Sequence, residues 1–216
     1  QAHKHGDPYV RMWAVRLAAG RDISQNLANE LAHIASVEEH PEVRSQLASS
    51  AKRLSGEAAI VIIANLLKHG DDAADPDIPL QLWWALESKA ASHSDAIVAL
   101  FSDASMWRIE TVREHLLARL MQRFSMAGDS AGYAACAKLI TMAPSGAEAK
   151  ILISGLQEGL RGADLSQMPS AIAKALKPYE KELGGQTLAL SLRQGDARSV
   201  NAAIKVMSDA KAPIGE

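Results

Sequence analysis

Apolar residues recur in one-sided helical stripes, and the stripes themselves recur along the chain. Val10, Trp13, Ala14 and Leu17 make the first, and Val43, Leu47 and Ala51 the second. Ile78, Leu82 and Leu86 follow, then Val112, Leu116 and Leu120. A spacing of three and four residues predicts an amphipathic helix whose apolar face needs a partner. Each stripe has a related opening: Asp7-Pro8-Tyr9-Val10-Arg11, His40-Pro41-Glu42-Val43-Arg44, Asp75-Pro76-Asp77-Ile78-Pro79 and Glu110-Thr111-Val112-Arg113. The anchors Val10, Val43, Ile78 and Val112 lie 33, 35 and 34 residues apart. A degenerate fifth copy runs through Pro144 and Ala147, 35 residues further on. A fixed period of this length is the signature of a repeat architecture.

Local chemistry explains why each copy starts a helix. Proline at the first helical position loses nothing, since its missing N–H would be an orphan there. Asp7 and Asp75 are placed to accept from free N–H groups and to oppose the helix dipole. A second helix follows in each copy: Ser24 to Ala35, Glu57 to Lys68, Ala96 to Phe101 after Ser94-Asp95, and Ala131 to Thr141 after Asp129-Ser130. Ile60-Val61-Ile62-Ile63 has strand character, but the run continues through Leu66-Leu67 without a pairing partner, which predicts a helix buried on both sides. Two helices per repeat, stacked in series, predict an all-α fold: an α-solenoid of helical hairpins.

Residues 1–160 read as four to five repeats, and 161–216 as a less regular continuation of the same domain. Gly162, Pro169, Pro178 and Gly184-Gly185 cut that continuation into shorter helices near Ser170 to Lys177 and Gln186 to Arg193, with another over Ala197 to Ser208. The chain opens without the helix that the repeat would place before it. It closes on Asp209 to Ile214, a helix start cut short, and neither end supplies a polar capping repeat. These 216 residues are therefore expected to be a segment of a longer polypeptide.

Composition narrows the picture further. The chain has 39 Ala and 24 Leu against 9 Val and 3 Thr, which favours helix over sheet. A net charge of −2 supplies no basic field for nucleic acid or an anionic membrane. The longest apolar run, Ala58 to Ala64, has seven residues, against about 20 needed to span a bilayer. A single cysteine, Cys136, excludes an internal disulfide.

The Asp-Pro openings followed by Val-Arg resemble HEAT-type repeats, whose stacked hairpins form an armadillo-like superhelix. The tetratricopeptide Trp-Leu-Gly-Tyr signature is missing. Longer strings give a narrower likeness: His5 to Gly20, Glu38 to Leu54, Asp75 to Glu87, Val112 to Phe124 and Tyr133 to Ile140. They resemble the helical region of large planctomycete and verrucomicrobial proteins, described as membrane-bound dehydrogenase-like or haem-binding. In that family a β-propeller precedes the repeats and a c-type cytochrome domain with Cys-x-x-Cys-His follows them. Cys136 stands alone and no propeller signature is present, so neither haem attachment nor a sugar site carries over. The resemblance implies a non-catalytic helical spacer in a larger exported redox protein of the periplasm or cell envelope. No cofactor is expected in this segment.

Three arginines, Arg11, Arg44 and Arg113, share one repeat position, and Pro79 interrupts the series. They are expected to form an inter-repeat ladder onto acidic or carbonyl groups of the turns, with Asp7, Glu42 and Asp75 as receivers. The alternative is an anion-binding strip on a concave wall. Trp83 and Trp84 point about 140° and 240° from the Ile78 direction, so they cannot share one stripe. Either each packs on a different neighbour, or one is exposed to anchor a partner. Trp13 and Trp107 are expected in the core.

Other groups read as structural. His3-Lys4-His5 is a short terminal pair, and no His pair has the spacing of a metalloprotease helix. Cys136 lies among small residues as an inert thiol. Asp71, Asp72, Asp75 and Asp77 lack the twelve-residue calcium-loop pattern and read as a capping turn. Gly155, Gly159 and Gly162 do not follow a strand, so no phosphate cradle is expected. The expected function is a scaffold for a protein partner or neighbouring domains, without nucleic acid or direct membrane insertion. The alternative is a HEAT-like groove with lyase-like or glycosylase-like activity.

Overall fold

The fold is that of a computed structural model, which describes residues 4–20, 23–163 and 169–179, with isolated positions between 192 and 208. The described residues are helical throughout, with no strand. The helices are α1 (Pro8–Ala18), α2 (Gln25–Val37), α3 (Pro41–Ala51), α4 (Gly56–Leu66) and α5 (Ile78–Ala90). There follow α6 (Ser94–Leu100), α7 (Leu117–Met126), α8 (Ser130–Met142), α9 (Gly146–Gly159) and α10 (Ser170–Leu176). Odd helices pack on odd helices and even on even, so the hairpins stack in two layers. Helices α1 and α3 run parallel. The Tyr9 and His40 rings meet at their starts, and Arg53 Nη2 donates to Ala19 O at their ends.

The helix starts follow their capping residues. Asp7 accepts from Tyr9 N–H at 2.8 Å and Asp129 from Gly132 N–H at 2.7 Å, while Pro8 and Pro41 occupy first positions. At the third copy the helix begins later than Pro76, because Asp75 Oδ1 first takes the N–H groups of Asp77 and Ile78, each at 2.9 Å. The fourth copy opens with a π turn, Val112–Leu116, where a plain helix was expected. Adjacent Leu116 and Leu117, at the end of that turn and the start of α7, both lie in the core, ahead of Leu120, Met121 and Phe124.

The core lies between the layers, and Val43, Ile78 and Val112 are fully buried in it. Val10 is not. Val10, Trp13 and Leu17 are exposed, Trp13 by 51%, which corrects the core placement expected from their stripe. Helix α3 is packed by α1 and by α5 within its layer, whereas the packing of α1 in that layer is on α3. Arg16 instead lies over the Trp13 ring at 5.2 Å. Val61 is also exposed, so α4 is buried on one side only. Trp107 is buried, edge-on to Phe101, with Nε1 donating to Phe101 O at 2.9 Å.

Side chains near helix ends also tie each layer together. Lys89 Nζ donates to Lys52 O at 3.0 Å and Leu54 O at 2.7 Å, and Ser45 Oγ to Gln81 Oε1 at 2.9 Å. In the even layer Asn65 Nδ2 donates to Ala32 O at 2.9 Å. His69 Nε2 lies 2.8 Å from Ala35 O and binds it with its proton on that nitrogen. Lys89 and His69 thereby satisfy carbonyls at or just past a helix terminus, which the helix itself leaves open. No helix of the described residues is long and apolar enough to cross a membrane. Of the helix expected over 186–193, residue 192 is described and is helical, and the start expected over 209–214 lies outside the described residues. Of that expected over 197–208, residues 200, 201 and 203–205 are described as helical.

Candidate functional site: an arginine spine and a tryptophan face

Arg11 and Arg44 lie one turn inside α1 and α3, and they make the same set of bonds. Each sends Nη1 back to the loop before its own helix. Arg11 reaches His5 O at 2.9 Å and Gly6 O at 3.0 Å. Arg44 reaches Glu38 O at 3.1 Å and Glu39 O at 2.6 Å. Each then grips, with Nε and Nη2, a carboxylate just beyond the following even helix. Arg11 holds Glu38 at 2.9 and 2.7 Å, and Arg44 holds Asp72 at 2.8 and 2.5 Å. Two parallel N–H···O bonds per pair fix orientation as well as distance.

The two sets join, because Glu38 offers its carboxylate to Arg11 and its backbone carbonyl to Arg44. Arg11, Glu38, Arg44 and Asp72 thus form one continuous spine. The Arg44–Asp72 pair is the most enclosed, with side chains 8% and 3% exposed. The receivers differ from the expected Asp7, Glu42 and Asp75. Asp7 and Asp75 spend their side chains on N–H groups of their own helix starts, and Glu42 is exposed.

The third copy has no rung. Pro79 stands in the arginine position, and the residues 27 and 28 places on, where Glu38 and Asp72 sit in the earlier copies, are Met106 and Trp107, both buried. The fourth differs again. Arg113 Nη2 lies 3.4 Å from Glu148 Oε1, and Glu148 occupies the arginine's own repeat position in α9. Arg113 is 43% exposed and lines an open cleft of about 430 Å³ with Arg108, Glu110, Glu114 and Ile151.

Electrostatics follow this geometry. The hydrogen bonds from Arg44 to Asp72 raise the guanidinium above its ordinary value, and Glu38 does the same for Arg11. Burial pushes the Glu38 carboxyl up, but the Arg11 hydrogen bonds and the His40 N–H outweigh it and leave the carboxyl below its ordinary value. A carboxyl lowered in the folded state stabilises the fold above its unfolded pKa, and that contribution disappears as pH falls through the folded value. The unfolding temperature should therefore drop on acidification through the carboxylate range, and Glu38→Gln should flatten part of that slope. Thermal unfolding of both proteins across that range measures it, and identical slopes would remove Glu38 from the account.

The two neighbouring tryptophans take different environments. Trp83 packs against the core, whereas Trp84 is 45% exposed with Lys52 Nζ at 5.9 Å from its ring centroid. Cys136 is buried, and burial pushes its thiol up to about 12, which leaves it protonated and unreactive at neutral pH. Among the described residues no three His, Cys, Asp or Glu side chains gather as a metal-binding group. Sequence reasoning placed the three arginines in one series but missed Glu38, Asp72 and Glu148. A carboxylate 27 or 28 residues after each of Arg11 and Arg44 was the available signal. No protein-family model, curated protein or solved structure matches this chain.

Proposed function

We propose that this chain is a non-catalytic helical-repeat scaffold, a spacer that holds neighbouring domains or a protein partner at a set distance within a larger exported redox protein. The observation that carries this reading is the spine. Arg11 and Arg44 direct their guanidinium bonds to internal carbonyls and carboxylates, so the most prominent charged residues of the repeat maintain its shape. A two-layer stack fixed in this way transmits position from one end to the other. Trp84, half in solvent beside Lys52, supplies an aromatic contact of the type enriched at binding hot spots.

The test replaces residues 8–160, in the intact encoded polypeptide, with an unrelated rigid helical-repeat rod of equal length or with a Gly/Ser linker. Activity of the polypeptide should survive the rod and fall with the linker. Activity retained with the linker, or lost with the rod, would overturn the spacer. Trp84→Ala should shift stability by no more than about 0.5 kcal/mol, as expected for a surface position, while weakening association with the partner. Chemical denaturation and a binding titration read the two effects separately.

A further inference from the structure

The third copy separates the spine from the Arg113–Glu148 pair, and several independent features coincide there. Pro79, Met106 and Trp107 replace the charged rung. The π turn Val112–Leu116 interrupts regular helix at the start of the next copy. In the odd layer the packing of α5 on α7 is the sparsest, and that of α7 on α9 the densest. In the even layer α6 has seven residues where α2 and α8 have thirteen each. Helix α5 is bound back to α3 by Ser45–Gln81 and by Lys89 on Lys52 O and Leu54 O. Its buried apolar side chains, Leu82 and Leu86 among them, share one core with Val112 and Leu116 of the π turn and Leu120 of α7. The ion pair that crosses this region in the even layer, Lys138–Asp95 at 2.7 Å, is largely exposed and adds little in water.

We propose that the stack bends at one seam, between α5 and α7, so that α1–α5 and α7–α10 behave as two stiff blocks joined through short α6. Directional bonds fix the register within the first block, and close backbone packing of α7 on α9 does so in the second. A predominantly apolar interface resists separation but permits sliding, which is the shear mode of domain motion. The π turn gives α7 a place to absorb that slide, since such turns are where helices kink. The proposal stands whether or not the chain serves as a spacer.

Spin labels on exposed cysteines test it by pulsed dipolar spectroscopy, with buried Cys136 left in place. Leu17→Cys with Ser88→Cys spans two steps of the odd layer, α1 to α5, without crossing the seam. Ser88→Cys with Ser154→Cys spans two steps, α5 to α9, across it. All three positions are exposed. The crossing pair should show a distance distribution at least about twice as wide. Equal widths, or a wider distribution for the first pair, would overturn the seam. Deletion of Glu114 removes one residue from the π turn and should narrow the crossing pair alone. An unchanged crossing width in the folded deletion variant would overturn the π turn's part in it.

Discussion

Arg44→Ala should lower the stability of this protein by about 3–5 kcal/mol, the range for breaking one side of a buried ion pair. The cost arises because the Asp72 carboxyl, 3% exposed, is left buried without its hydrogen-bonding partner, and the Glu38 and Glu39 carbonyls lose a shared donor. Asp72→Ala should cost a similar amount for the opposite reason, stranding a guanidinium. Removing both charges together in Arg44→Met/Asp72→Leu should recover much of the loss, because well-packed apolar residues replace buried pairs at little net cost. The third copy already uses that solution, with Pro79, Met106 and Trp107 at the corresponding places. Denaturant unfolding of that double variant beside the single variants Arg44→Met and Asp72→Leu forms the cycle. Additive losses in the double variant would show that the pair does not act as a unit.

The second large effect falls on Gly155. A β-carbon built there overlaps the backbone carbonyl of Ala118, and one at Gly159 meets Ser125 Oγ and the Gln122 backbone. Helices α7 and α9 approach so closely that only glycine fits on this face. In an exposed helix, Gly→Ala would stabilise by about 1 kcal/mol through propensity alone. Here Gly155→Ala should instead destabilise by about 1–3 kcal/mol, because neither backbone can yield without displacing its layer. Gly155→Leu should be worse. A melting temperature that rises in Gly155→Ala would show that the helices separate freely.

Much of the architecture was legible in the sequence because it depends on local rules repeated at one interval. Pro8 and Pro41 start helices, Asp7 and Asp129 cap them, and Val43, Ile78 and Val112 occupy the core. The misreadings share one physical source: stripes report what a helix is able to bury, whereas burial depends on whether a neighbour is there. Val10, Trp13 and Leu17 have the right spacing and are exposed, on a helix whose packing in its layer is on α3. The spine was half legible. The arginines announce themselves by recurrence, but their carboxylates lie 27 and 28 residues away, and no local rule links the two. Glu148 was hidden more deeply, because it stands where an arginine would continue the series. Gly155 and Gly159 were weighed against a phosphate cradle and set aside, whereas their role is steric, against α7.

The backward reach of Arg11 and Arg44 also sets where this chain tolerates editing. Each guanidinium measures the loop before its helix by gripping two successive carbonyls in it. One residue added between Glu38 and His40 would move both acceptors out of range and unseat two rungs together. The connection from Phe101 to Glu110 has no such arginine, but the buried Trp107 indole bonded to Phe101 O gauges it instead, so an insertion between those two residues would unseat a core side chain rather than a rung.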